Sequence, residues 1–230
     1  MDHLLSISKC QLGSFTGYRT VFLLRRRALA EDTATAILAI TQAKIIELGD
    51  TVAIFGPGPM GLLSLQVVKA LGAHKVIITG LTCDEMRLRV GKDLGADVTI
   101  NVERDNPLPI IDEYTQGQGV DTAVLAVGSP EAIDQAFNAV RKLGNMVVIG
   151  FPEGSIKVPW HKVYAKMVKI YGSLGAHDWM SWERALKCIS SGAVRTSDLI
   201  THKLPLCEWR KAFDIFDSKE GIKVELIPEL

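Results

Sequence analysis

The 230-residue sequence carries no excess charge of either sign: 26 Lys and Arg balance 26 Asp and Glu. That balance gives no global attraction to nucleic acid or to an anionic membrane surface, so neither is expected as a partner. Long hydrophobic runs are also missing, and no stretch is apolar enough over enough residues to cross a bilayer. Cysteine is sparse: Cys10, Cys83, Cys188 and Cys207 lie far apart and form no C-x-x-C pair. A disulfide scaffold is therefore not expected, and ordinary thiols in a reducing, cytoplasmic setting are. The histidines, His3, His74, His161, His177 and His202, are scattered just as widely. H-E-x-x-H and zinc-finger spacings of Cys and His are both absent.

What is present suits a globular protein. Apolar residues make up 47% of the chain, and the length allows one large domain, or one and a half, with a substantial core. Residues 1–30 differ in character. They hold one acid, Asp2, against Lys9, Arg19 and the run Arg25-Arg26-Arg27. That is faintly like an organellar transit segment, but an atypical leader, or the stump of something longer, is the preferred reading.

From there the pattern alternates. EDTATAILAITQAKIIELGD has helical spacing and is predicted to run as a helix to Gly49. TVAIF (51–55) reads as a buried strand, Met60 to Leu71 as a helix stopped by Gly72, and KVIIT as a second strand. DEMRLRVGKDLG is an amphipathic helix ending at Gly95, and VTIN a short third strand. PLPIIDEYTQG suggests a helix and DTAVLAV (121–127) a strand. PEAIDQAFNAVRKLG reads as a helix opened by Pro130 and closed at Gly144, and NMVVIG as the next strand. Short apolar strands between amphipathic helices predict an α/β fold, a doubly wound parallel (Rossmann) sheet covered on both faces with right-handed crossovers. It is clearest from about 50 to 175, and the domain is drawn from 31 to 175. Beyond Gly150, KIYGSLG reads as a sixth strand, followed by helices in WMSWERALKCISSG and EWRKAFDIFDS and a strand-like KVELIPEL. Residues 176–230 thus form helices and a strand that belong to the domain edge or to a partial second domain.

The most specific local signal is G-x-G-x-x-G at Gly56, Gly58 and Gly61, set between the first strand and its helix. Gly56 permits a tight turn, Gly58 lets the backbone approach a pyrophosphate, and Gly61 lets helix and strand pack closely. The helix start offers free N–H groups and partial positive charge, and Pro59 opens it where a missing N–H costs little. Where dinucleotide folds usually carry an acid at the end of the second strand, this chain has Gly80. An acid there binds the ribose 2′-OH of NAD and repels the 2′-phosphate of NADP, so its absence leaves both cofactors open. Thr82, Arg87 and Arg89 lie downstream and could meet a phosphate, with Arg87 the best placed.

Together these stretches resemble the zinc-containing medium-chain dehydrogenases, in particular the branch holding sorbitol, threonine and secondary-alcohol dehydrogenases. The likeness rests on GDTVAIFGPGPMGLLSLQVVKALGA, GADVTINVE, GVDTAVLAVGSPEAIDQA, GNMVVIGFP and WERALKCISSG…LITHKLPL, in family order over roughly residues 30–230. The resemblance implies NAD or NADP as cofactor and oxidation of a small secondary alcohol or polyol at an adjacent zinc. Carried over by position, Gly56, Gly58, Pro59, Met60 and Gly61 match the pyrophosphate loop. Gly80 matches the position that is acidic in NAD-using members, and Arg87 matches a residue near the adenosine. Val127, Ile149, Gly150, Ser173, Leu174 and Gly175 match stretches passing the nicotinamide. Asp32 resembles a carboxylate that approaches the catalytic zinc in the family; read by position alone it is equally an N-cap.

The resemblance also sets expectations by what it does not match. Family members carry a catalytic domain with a G-H-E motif ahead of this point, and residues 1–30 offer only Cys10 and His3. Catalytic zinc requires three protein ligands and an open position, so no catalytic residue is assigned and the chain is expected to be truncated. KVELIPEL would return to that domain in the family, so its edge is expected to lack a partner, leaving the chain marginal alone or self-associating. KIYGSL resembles the edge strand through which members pair, and a homo-oligomer follows. Two alternatives remain. One is a non-catalytic nucleotide-binding or interaction module. The other, disfavoured by Asp32 and LITHKLPL, is a zinc-free reductase.

Overall fold

The computed structural model describes residues 27–42, 44–151 and 154–228. The leader reading of residues 1–30 thus lies almost entirely outside the described residues, as do Cys10 and His3. Six parallel strands form one sheet: β1 (Thr51–Phe55), β2 (Lys75–Gly80), β3 (Val98–Asn101), β4 (Val120–Leu125), β5 (Val140–Val148) and β6 (Lys169–Gly172). Their spatial order is β3-β2-β1-β4-β5-β6, the doubly wound order expected. Alternate residues of β1, β2, β4 and β5 feed two separate cores. Val52 and Ile54 of β1 enter one, and Ala53 and Phe55 the other. A one-residue slip would exchange the two sets. Burial of Ile54, Ile77 and Ile78, each worth about 1.5–3 kcal/mol, pins the register.

One face is covered by α1 (Ala30–Thr41), α2 (Pro59–Ala70), α3 (Glu85–Asp93) and α7 (Trp179–Ser191). The other carries α4 (Pro107–Thr115), α5 (Pro130–Ala139) and the short α6 (Trp160–Lys166). Helix ends follow local chemistry. Pro occupies an early position in α2, α4 and α5. Asn106, Ser129 and Asp178 accept hydrogen bonds from the backbone N–H groups of Leu108, Ala132 and Ser181. Past α8 (Trp209–Asp217), β8 (Lys223–Ile227) pairs in parallel with β7 (Ile200–Pro205).

Two expected helix ends are corrected. The first helix stops at Thr41 and does not reach Gly49. Lys44 takes a left-handed φ of 49°, and Ile45 reaches the core from the loop, its carbonyl accepting from the Thr122 hydroxyl. The fifth helix ends at Ala139, not Gly144, because Val140 pairs with Val120 and Arg141 donates to Asp121 at 2.6 Å. Leu143 then takes a φ of 58°. One edge of β8 pairs with β7, and no third strand joins that two-stranded sheet among the described residues. Helix α6 and strand β7 had no counterpart in the sequence reading. Among the described residues no disulfide joins Cys83, Cys188 and Cys207, and no helix is long and apolar enough to cross a membrane.

Candidate functional site

Strand β1 delivers the chain to a glycine turn at its carboxyl end. Gly56 has φ +105° and its N–H donates to the Thr79 carbonyl at 3.1 Å. A Cβ there would sit 2.3 Å from Val127 Cγ1, so glycine is demanded twice over. Gly58 is the N-cap of α2 in extended backbone, as a residue before proline must be, and open space surrounds it. The first intrahelical bond runs from Leu62 N–H to Gly58 O at 2.9 Å. Met60 and Gly61 N–H groups precede it and form part of the positive end of the helix dipole. Gly61 presses so closely on the turn that a Cβ would lie 1.9 Å from Gly56 O. The three glycines therefore have three distinct roles, and only Gly58 borders open space.

This turn opens a cleft of about 600 Å³ above β1 and β4, where the strand order reverses. In open α/β sheets, ligands bind at that position. Gly56, Pro57 and Gly58 form its floor, with Thr79, Gly80 and Leu81 on one side and Val127, Ser129 and Glu131 on the other. Of the residues expected at a nucleotide site, the cleft brings together Gly56, Gly58, Gly80, Arg87 and Val127. Pro59, Met60 and Gly61 form the first turn of α2 beside it. Gly150 supports from behind, since a Cβ on it would meet Val127 N at 2.5 Å. Ile149 packs into the core and does not border the cleft. Ser173 N–H donates to Val148 O at 3.0 Å, and its hydroxyl is buried with no partner among the described residues. Leu174 is exposed, and Gly175 takes a φ of 65° in open space. These last two are not among the residues lining the cleft.

Gly80 has a physical reason. A Cβ there would meet Pro57 Cγ at 2.7 Å and Asp84 Cβ at 3.2 Å, so the acid usual at this position has no room. Arg87, in the first turn of α3, is buried. Its Nη1 donates to Asp84 Oδ1 at 3.1 Å and its Nη2 to Gly221 O at 2.8 Å. Nε is buried with no partner among the described residues. Thr82 donates its N–H to Glu103 Oε2 at 2.7 Å. That bond, with a second from the Thr82 side chain, holds the Glu103 carboxyl below its usual range. Sequence reasoning missed Asp84, Glu103 and Lys219, all of which line the cleft.

Asp32 is not the N-cap of α1, a position held by Leu29. It lies in the first turn, where its charge suits the helix dipole, and it pairs with Lys223 Nζ at 3.0 Å. Among the described residues no group of three His, Cys, Asp or Glu could hold a metal. The described residues do not fit a catalytic zinc, since the single candidate ligand is engaged by a lysine.

A second cavity, of about 530 Å³, lies between Gly117, Asn138 and Lys166. It sits at the amino ends of β4 and β5, away from the glycine turn, and so at the wrong end of the sheet for a nucleotide.

Comparisons with known proteins point the same way. The family model described as zinc-binding dehydrogenase matches residues 59–191. The chain is 35% identical to D-arabitol-phosphate dehydrogenase of Enterococcus avium, over 86% of its own length and 56% of that protein. It is 35% identical to sorbitol dehydrogenase of Halalkalibacterium halodurans, over 89% of itself and 59% of that protein. An alcohol dehydrogenase from Thermus sp. ATN1 superimposes with a TM-score of 0.80 at 29% identity, covering 89% of this chain and 58% of that one. The chain thus spans a little over half the length of the relatives it matches.

Proposed function

Because the chain belongs to the zinc-binding dehydrogenase family, we propose that it holds a nicotinamide dinucleotide, NAD or NADP, as the cofactor-binding portion of an alcohol or polyol dehydrogenase. The observation that carries this reading is the glycine turn opening onto the cleft where the strand order reverses. Gly56 to Gly61 and the start of α2 would hold the pyrophosphate, with Met60 and Gly61 N–H groups as donors. Gly80, Thr82 and Arg87 would border the adenosine ribose. Val127 and the ends of β5 and β6, with Ile149, Gly150, Ser173, Leu174 and Gly175 beyond them, would flank the nicotinamide. When bound, the nicotinamide supplies a hydride acceptor for the carbinol carbon of a secondary alcohol. The chain's own share is orientation: a rigid turn, a buried arginine and an apolar wall at Val127.

No step is assigned to zinc, because the described residues do not provide a ligand set. That mismatch favours a second reading, a non-catalytic nucleotide-binding module of the same descent. We also assign residues 31–175 to the nucleotide domain and 176–230 to a segment that joins it to a catalytic domain. Strand β6 ends the sheet order with Met167, Ile170 and Leu174 exposed nearby, which supports self-association along that edge.

Titration of the purified chain with NADH and NADPH, followed by cofactor fluorescence, tests the main reading. Saturable one-site binding of at least one is expected; binding of neither would overturn it. Zinc analysis with alcohol-dependent reduction of NAD(P) separates the two readings. Stoichiometric zinc and turnover would reject the non-catalytic module.

A further inference from the structure

Gly80 leaves the ribose end of the cleft without its usual acid, yet that end is not uncharged. The turn after β2 exposes the Thr82 N–H, and Glu103 reaches across from just beyond β3 to accept it at 2.7 Å. The carboxylate is fixed by a closed set of hydrogen bonds. Glu103 N–H donates to Asn101 Oδ1 at 3.1 Å, and Asn101 Nδ2 donates to the Thr82 hydroxyl at 3.1 Å. With Thr82 stabilising its charged form, Glu103 is ionised at neutral pH.

Arg104 and Lys219 lie close enough to favour its charged form, but neither forms an ion pair with it among the described residues. Arg87 is committed to Asp84 and to Gly221 O, and Arg104 pairs with Glu85. Lys219 lines the cleft, with its Nζ 3.6 Å from Cys83 Sγ. The cleft lining as a whole carries three carboxylates, Asp84, Glu103 and Glu131, against two cations, Arg87 and Lys219.

We propose that Glu103 excludes the 2′-phosphate from β3, as the acid at the end of β2 does in other dinucleotide folds, and makes the chain selective for NAD(H). A second anion arriving at Thr82 would find its N–H already bonded to a carboxylate, and would meet a like charge beside it. Without the Glu103 charge, the Thr82 N–H, the Thr82 hydroxyl and Lys219 would form a recess suited to a phosphate. The inference rests on the proposed binding of a nicotinamide dinucleotide in this cleft.

The test is the ratio of NADPH to NADH dissociation constants, measured by cofactor fluorescence on the 230-residue chain. The wild type is expected to favour NADH by at least about tenfold, and Glu103→Gln to move the ratio toward NADPH by a similar factor. Lys219→Gln added to Glu103→Gln should take back part of that shift. Glu103 is exposed, and a thermal melt checks that each variant folds. A wild type that binds NADPH as tightly as NADH, or a ratio unchanged by Glu103→Gln, would overturn the assignment. Binding of neither dinucleotide by the wild type is a different result, and removes the nucleotide reading along with this one.

Discussion

Two alanine substitutions in the glycine turn should have opposite consequences, and the difference follows from their surroundings. At Gly61 an added methyl would lie 1.9 Å from Gly56 O, 3.1 Å from Gly56 C and 3.4 Å from Ala126 Cβ. The first two are backbone atoms of a turn already pinned by Val127, so relief requires moving α2 by more than an ångström. Overpacking of this kind costs about 3 kcal/mol, roughly 6–12 °C in melting temperature for a chain of this size. At Gly58 nothing lies within 4 Å, and φ of −68° with ψ of 179° is open to any residue. Alanine is the poorer N-cap by about 0.5–1 kcal/mol, but it also reduces the freedom of the unfolded chain by about 0.4–1 kcal/mol. These offset one another, and Gly58→Ala should melt close to the wild type. Its methyl nevertheless enters the cleft where a pyrophosphate would approach the backbone. NADH affinity should therefore fall at least about tenfold, equivalent to about 1.4 kcal/mol. Thermal unfolding paired with fluorescence titration reads both effects. The reasoning is refuted by a folded Gly58→Ala chain that binds NADH like the wild type. It is equally refuted by a Gly61→Ala chain that melts unchanged.

Other consequences concern stability. Lys166 Nζ donates to the carbonyls of Phe137, Asn138 and Val140 at 2.7–2.9 Å, tying α6 to the end of α5. Lys166→Met should cost about 2 kcal/mol in urea unfolding, and an unchanged midpoint would count against this role. At Asp97, burial pushes the carboxyl up, but Lys69 Nζ at 2.6 Å and Val76 N–H at 2.7 Å outweigh it and leave the pKa below 3.8. Its contribution is thus fully present above the unfolded value of 3.8 and is lost as pH falls through the lower folded value. Asp97→Asn should be less stable at neutral pH and should flatten that acid limb; a parallel pH profile would contradict this.

The alternation of strands and helices was legible because β1, β2 and β4 are apolar runs punctuated by Gly and Pro. The split of their residues between two cores follows from a period of two. The α5–β5 boundary was not legible, since AVRKLG continues a helical pattern. What ends the helix is Val120 and Asp121 in the neighbouring strand, beyond any local window. Helix α6 has no buried residue, and its apolar positions, Trp160, Val163 and Tyr164, fall within a seven-residue element of which only Val163 packs against the core, too short a signal to read. Strand β7 is half-buried along nearly its whole length and is defined by its pairing with β8.

The candidate site divides in the same way. Its floor is written in six consecutive residues, Gly56 to Gly61. Its charged rim is assembled from distant positions. Glu103 comes from the turn after β3. Lys219 arrives through a left-handed turn with φ of 60°, near Gly221, whose carbonyl is held by Arg87. Gly80 looked like a missing ligand, and its surroundings show a position with no room for one.

Amide hydrogen exchange with and without NADH tests the central claim most directly, because it locates binding as well as detecting it. Saturating NADH should slow exchange in Gly56–Leu62, in Gly80–Arg87 and around Val127–Ala132. Unchanged exchange there, or protection confined to the cavity at Gly117, Asn138 and Lys166, would contradict a dinucleotide site at the glycine turn.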